Sequence, residues 1–264
     1  MTEWGRVAIR VDQAHEALGH RSFEVDGAVF VTNPELPDIH VANYVHSITA
    51  KSPGEIDGLL ARAEREFAGC PHRCFEVDRD TPPPFEARLV SDGYEARDFV
   101  LMVLAGDLVG RSKTADLRVT TDGRDWEAAD RLKRLDWAEA RARLGRDPLP
   151  AVGERLALLA RLKTPPDRKW LAYADGEARG MASVWDGVGG VGQVEDVFVE
   201  PSYRHRGLAT ALIHRCVADA RARGSGTLML VADADDTPQT MYAAMGFRHV
   251  ATKRRYVRYR SPEY

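Results

Sequence analysis

A chain of 264 residues, 44% hydrophobic and 29% charged, has room for one large domain or two small ones, each with its own core. A formal net charge of −3 argues against a polyanion-binding chain, and no apolar run approaches the ~20 residues that cross a bilayer. Charge is unevenly placed: residues 1–112 hold 11 basic against 19 acidic side chains, and residues 113–264 hold 26 against 21.

The opening MTEWGRVAIR lacks the apolar centre of a signal peptide, so a cytoplasmic location is expected. Three cysteines are too few for a disulfide framework. Cys70 and Cys74 bracket His72, yet no second ligand pair stands at zinc spacing, and no metal is expected. In the first half, periodicity and turn residues predict a helix at 12–18 capped by Asp12, then strands at 28–32 and 39–48. A capping box, Ser52-Pro53-Gly54-Glu55, opens a helix over 52–67, followed by strand 72–77, helix 84–91 and strand 95–104. The polar segment 106–115 reads as a linker and divides the chain into domains 1–112 and 113–264.

The second half is expected to run strand 117–120, helices 126–143 and 151–162, then strands 169–174 and 178–185 joined by the hairpin signal Asp175-Gly176. Strand 194–199, a helix to 222, strand 227–231, helix 237–245 and strands 247–252 and 254–259 complete it. The expected class is α/β (α+β), with a mixed, mostly antiparallel central sheet flanked by helices and a smaller α/β domain at the N-terminus. Between strand 194–199 and its helix lies Arg204-His205-Arg206-Gly207-Leu208-Ala209, a basic loop with glycine where the helix begins. Unpaired N–H groups and the positive end of the helix dipole converge there, and such a site suits an anion, typically phosphate.

This order resembles the GCN5-related N-acetyltransferase family over residues 115–260. Arg204-x-x-Gly207-x-Ala209 fits the family's Arg/Gln-x-x-Gly-x-Gly/Ala loop. Met241-Tyr242-Ala243-Ala244-Met245-Gly246-Phe247, about 35 residues on, fits its aliphatic-Tyr-x-x-x-Gly-Phe ending. In such proteins the loop amides hold the pyrophosphate of acetyl-coenzyme A. The resemblance implies that Arg204 opens the site and that His205, Arg206, Gly207, Leu208, Ala209 and Thr210 line the phosphates. It implies that the edge of Val197, Phe198 and Val199 pairs with the pantetheine arm like an added strand. Tyr242 would be the general acid for the departing thiolate.

The base is left open between Glu195 and Asp196, which strict alternation puts on opposite faces, so that at most one faces the site. A carboxylate acting there at pH 7 needs its pKa raised towards neutrality. His249 and Tyr203 are further candidates. Seven residues before the tyrosine, where many family members carry an Asn that contacts the coenzyme, this chain has Asp235; Asp236 or Thr237 then caps the helix ahead of Pro238.

The first half resembles the later part of the same fold, but residues 47–55 lack Arg-x-x-Gly and put Pro53 where an amide would donate. It reads as a degenerate acetyltransferase-like domain or as an unrelated α/β domain. The expected activity is acetyl transfer from acetyl-coenzyme A to a primary amine of a small molecule or peptide, in a ternary complex. Cys216, on the inner helix face, forms no covalent relay. The alternative is an acyl-coenzyme A sensor without turnover. An amine acceptor is the expected partner, with no nucleic acid and no membrane, for a monomer or homodimer. Alternation along a strand would split the basic run 253–260 between two faces.

Overall fold

The computed structural model describes residues 2–147, 149–235 and 238–260, with Pro238 known by its backbone. The chain opens with α1 (Glu3–Glu16), capped by the Thr2 side chain accepting from the Gly5 amide. Asp12, the expected cap, is instead buried at 2% exposure inside this longer helix. Strands β1 (Arg21–Val25), β2 (Ala28–Thr32) and the short β3 (Tyr44–His46) follow, β1 being an element the sequence reading left out. Next come α2 (Pro53–Glu66), β4 (His72–Val77), α3 (Pro83–Ser91) and β5 (Glu95–Leu104). The expected strand at 39–48 is reduced because 40–42 wind into a 3-10 turn, held where Asn43 donates to the Leu36 and Ile39 carbonyls.

The rest comprises β6 (Asp116–Val119), α4 (Gly123–Arg143), α5 (Pro150–Leu162), β7 (Arg168–Ala174), β8 (Glu177–Val188) and β9 (Val191–Val199). Then come α6 (Leu208–Ala222), β10 (Thr227–Asp233), α7 (Pro238–Ala244) and one long β11 (Arg248–Tyr259) in place of two strands. The expected caps Asp236 and Thr237 lie outside the described residues. The class is mixed α/β with mostly antiparallel strand pairing flanked by helices.

Two compact units emerge. The first takes the described parts of Met1–Leu101, Ala232–Gln239 and His249–Tyr264; the second takes Met102–Val231 and Thr240–Arg248. The division thus differs from a cut at residue 112. The chain's last strand belongs with the first unit because Arg254–Tyr259 form an antiparallel ladder with β4.

In the first unit the strand order is β1-β2-β3-β4-β11. One sheet face carries Phe30, Val45, Phe75 and Tyr256 against Ile56 and Leu59 of α2, Phe67 just past its end, and Phe85 and Leu89 of α3. The other face is buried too, and combines the apolar cluster of Val31, Tyr44 and Cys74 with a group of charges. The Lys253 ammonium donates to Asp12 and, at 3.0 Å, to Glu16, and pairs with Glu76 at 2.9 Å. Arg255 joins Glu16 at 2.6 Å and Glu76 at 2.9 Å. Strand alternation explains the split: Lys253 and Arg255 face α1, while Arg254 pairs with Asp98 and Glu86 and Tyr256 enters the apolar core. Arg258 and Arg260 pair with Glu64. Each cation of the basic run is therefore matched to a carboxylate of the same unit.

In the second unit β6, β7, β8 and β9 form an antiparallel meander, and β10 runs parallel to β9. Ala129 and Leu132 of α4 pack on Leu171, Met181 and Phe198. Leu212 of α6 comes up to Gly180, where a Cβ would lie 3.3 Å from it. Gly180 and Met181 are strand neighbours, so α6 covers the face opposite α4.

The three carboxylates around Lys253 give a stability prediction. Burial outweighs the attraction of Lys253 and raises the Asp12 pKa from 3.8 to about 7. A raised pKa means that the folded state holds the proton. The resulting stabilisation is complete below the unfolded value and is lost as pH rises through about 7. Lys253→Met leaves the acids uncompensated and should cost about 3–5 kcal/mol at pH 8. Urea denaturation should find a smaller loss at pH 5, where Asp12 is neutral; an equal loss at both pH values contradicts this account.

Candidate functional site

The site is built around the second half of β9. The parallel ladder with β10 pairs Val191 to Val194 with residues 227–230 and stops there. Beyond it β9 keeps β8 on one edge only, with Gly180 opposite Val199 and Met181 opposite Phe198. Among the described residues no strand pairs with the other edge of Val197, Phe198 and Val199. A row of backbone donors and acceptors therefore faces an opening wedge, which an extended ligand arm can satisfy as an added strand.

The wedge begins at a β-bulge. Met181 faces Phe198 and Ser183 faces Glu195, so β9 fits one more residue into this interval than β8. Asp196 absorbs the extra length with φ 54°, a left-handed conformation rare outside glycine. The bulge breaks the alternation expected from the sequence. Glu195 stands opposite Ser183, and the Ser183 hydroxyl also donates to the Asp196 carboxylate at 3.4 Å, so both acids sit beside Ser183.

Their environments differ. Asp196 accepts from Lys133 of α4 at 2.8 Å and from Lys169 of β7 at 2.8 Å, and Lys169 also donates to Ser183 at 2.7 Å. Burial alone would raise the Asp196 pKa; the two ammonium groups overcome it and hold the carboxyl well below its usual range. The neutral-range carboxylate expected at this strand is thus not Asp196. Glu195 is half-buried and accepts from the Gln193 side chain at 2.6 Å.

The loop after β9 turns on two left-handed residues, His205 at φ 61° and Gly207 at φ 92°. Gly207 is the N-cap of α6 and, among the described residues, no side chain caps the helix. The amides of Leu208, Ala209 and Thr210 are therefore available to an anion along the helix axis. Arg204 braces the loop from within, donating to the Val199 carbonyl at 3.0 Å and to Glu139 of α4 at 2.6 Å. Arg206 donates to the Ser202 carbonyl at 3.1 Å and lies over the Tyr203 ring. The other face of the loop is tied by Glu200, which takes Arg131 at 2.5 Å and Arg179 at 3.1 Å. Lys133, Lys169, Arg131 and Glu139 carried no motif signal, because the residue of β9 or its loop that each one holds lies 27 to 69 residues away in the chain.

Tyr242 on α7 is 6% exposed, with its ring edge-on to Phe247 at 6.2 Å. Gly246, at φ 100°, ends the helix, and the Phe247 amide returns to the Tyr242 carbonyl at 3.1 Å. The Gly-Phe spacing is thus the device that fixes the tyrosine. Asp235 belongs to the first unit, is exposed, and its amide turns back to the Asp233 carboxylate at 3.1 Å. His249, also in the first unit, contacts the Ala251 carbonyl and the Thr252 hydroxyl. Tyr203 donates to Asp175 at 2.9 Å. Cys216 is fully buried, and burial pushes its thiol far up, as it does Cys70 and Cys74 to about 11 and about 12.

The matching strand–loop–helix of the first unit is closed. The Glu55 carboxylate accepts from the Ser52 amide at 2.9 Å and the Lys51 amide at 3.0 Å, which lowers its pKa. At this helix start the Ser52 hydroxyl takes the Glu55 amide and Pro53 has no N–H to offer, whereas the second unit's helix starts from a glycine with no capping side chain.

The sequence model of the Acetyltransferase (GNAT) family matches residues 129–247, which span β9, the loop, α6 and Tyr242. No curated protein sequence matches the chain. Among solved structures, a functionally unknown conserved protein from Staphylococcus epidermidis aligns at TM-score 0.71 and 13% identity, covering 92% of this chain and 95% of that one. A GCN5-related N-acetyltransferase from Kribbella flavida aligns at TM-score 0.67 and 19% identity, covering 96% and 95%. A tandem GNAT protein from the clavulanic acid biosynthesis pathway aligns at TM-score 0.58 and 14% identity, covering 83% and 76%. These likenesses establish a shared fold.

The lysine clasp sets a pH signature. The Asp196 pKa is depressed, so its stabilisation is present above the unfolded value near 3.8 and is lost as pH falls through the folded value. Asp196→Asn should lower the melting temperature at pH 7, and the gap from wild type should close as the medium is acidified below about pH 4. A gap independent of pH contradicts the clasp.

Proposed function

We propose, from the match of residues 129–247 to the acetyltransferase (GNAT) family model, that the chain transfers an acetyl group from acetyl-coenzyme A to a primary amine of a small molecule or peptide. The observation that carries the reading is the free helix start at Gly207 beside the unpaired edge of β9, with Tyr242 on the following helix. The amides of 207–210 would hold the pyrophosphate, and Val197–Val199 would pair with the pantetheine arm. The amine nitrogen attacks the thioester carbonyl while Glu195, directly or through water, takes its proton. The carbon–sulfur bond then breaks and the Tyr242 hydroxyl protonates the thiolate. Asp196 is a positioning residue in this scheme, since a carboxylate gripped by two lysines is a poor proton acceptor at pH 7.

The first unit is read as a degenerate acetyltransferase-like domain. Its β3–α2–β4–α3–β5 order repeats β9–α6–β10–α7–β11, and the fold likeness to a protein described as a tandem GNAT supports the same reading. Because Ser52, Pro53 and Glu55 together plug its helix start, one coenzyme per chain is expected.

Calorimetric titration with acetyl-coenzyme A should give a stoichiometry of one, and two sites per chain would refute the plugged-loop reading. In a thiol-release assay over amine classes, Tyr242→Phe and Glu195→Gln should each lower kcat about 10²-fold or more while coenzyme affinity stays near wild type. Unchanged turnover in Glu195→Gln with its loss in Asp196→Asn would exchange the two roles. Coenzyme binding without transfer to any amine would favour a sensor.

A further inference from the structure

The segment 106–115, which the sequence marks as a linker, is part of the second unit and lies alongside the loop–helix site. At one end it is anchored near the C-terminus of α6. Arg221 donates to Asp107 at 3.0 Å and to the Gly106 carbonyl, and the Val109 amide donates to the Met245 carbonyl at 3.0 Å. Gly246 packs there too, since a Cβ on it would lie 3.3 Å from both Leu104 and Val109. At the other end Lys113 reaches the N-terminus of α6. A Cβ at Gly207 would lie 3.1, 3.5 and 3.6 Å from its Cδ, Cγ and Cβ. The 15 residues of α6 measure about 22 Å. Six extended residue steps from Asp107 to Lys113 measure about 20 Å. The segment is a strap stretched along the helix from its last turn to its first.

Its placement brings a charge to the helix start that the motif does not. Arg204 faces Val199 and Glu139, and Arg206 faces Ser202 and Tyr203, so both brace the loop. Lys113 is exposed and, among the described residues, pairs with no carboxylate. Its methylene stem crosses Gly207, whose missing Cβ leaves room for it, and the ammonium, two bonds beyond Cδ on a flexible stem, is within reach of the free amides. An unpaired cation next to unpaired N–H groups completes an anion site.

We propose that Lys113, carried by the strap, is the side-chain cation that holds the pyrophosphate of the coenzyme. The proposal rests on the coenzyme reading above. It is tested by calorimetric titration of the full chain with coenzyme A and with 3′-dephospho-coenzyme A, for wild type, Lys113→Met and Lys113→Arg. Lys113→Met keeps the stem and removes the charge; affinity for both ligands should fall on the order of ten-fold, with a weaker salt dependence. Lys113→Arg should restore most of it. Asp107→Ala, which frees the anchored end, should weaken binding in the same direction. Wild-type affinity in Lys113→Met overturns the proposal while leaving the coenzyme reading intact. A loss confined to coenzyme A would move Lys113 to the 3′-phosphate and overturn the pyrophosphate assignment. Wild-type protein that binds neither ligand removes the coenzyme reading, and the proposal with it.

Discussion

The bulge at Asp196 is the constraint from which the rest of the site follows. A strand fitting an extra residue beside its neighbour must bend and twist, and β9 does so where its ladder with β10 ends. The left-handed Asp196 is unfavourable on its own, and Lys133, Lys169 and Ser183 hold it in place from α4, β7 and β8. Side chains from three elements thereby fix the shape of one strand. The divergence leaves an edge that no described strand pairs with and directs the chain into the loop that starts α6.

The loop is stabilised by a different set of charges from those it presents. Arg204, Arg131 and Arg179 join it to α4 and β8 through Glu139 and Glu200. The helix start itself is left uncapped. Where the corresponding helix of the first unit begins, Ser52 and Glu55 satisfy the first amides internally, a stable ending that has no use for an anion. Local chemistry at two helix starts thus separates an uncapped start from a closed one. The first unit's other buried face follows the same electrostatic logic on a larger scale, with Lys253 and Arg255 set among three carboxylates beneath α1.

Much of this was legible in the sequence. Turn residues and periodicity located most elements, because they are local: the capping box at Ser52, the hairpin at Asp175-Gly176, and Gly246-Phe247 closing α7 are set by residues within a few positions of one another. The glycine turn between β9 and α6 was legible for the same reason, since a glycine at a strand–helix junction fixes both the backbone and its free amides. Alternation failed at Glu195 and Asp196 because a bulge depends on what the neighbouring strand supplies. Asp12 read as a cap because its partner, Lys253, is 241 positions away.

The sequence by itself determined most of the elements, their order and the glycine turn at the junction of β9 and α6, all consequences of short-range sterics and hydrogen bonding. Tertiary structure decided which carboxylate is held ionised, that β11 completes the first unit, and that an apparent linker runs beside Gly207 as a strap. Those outcomes depend on charges and strands brought together from distant parts of the chain. Burial and Coulomb attraction between such groups act through space, and neither is encoded in residue spacing.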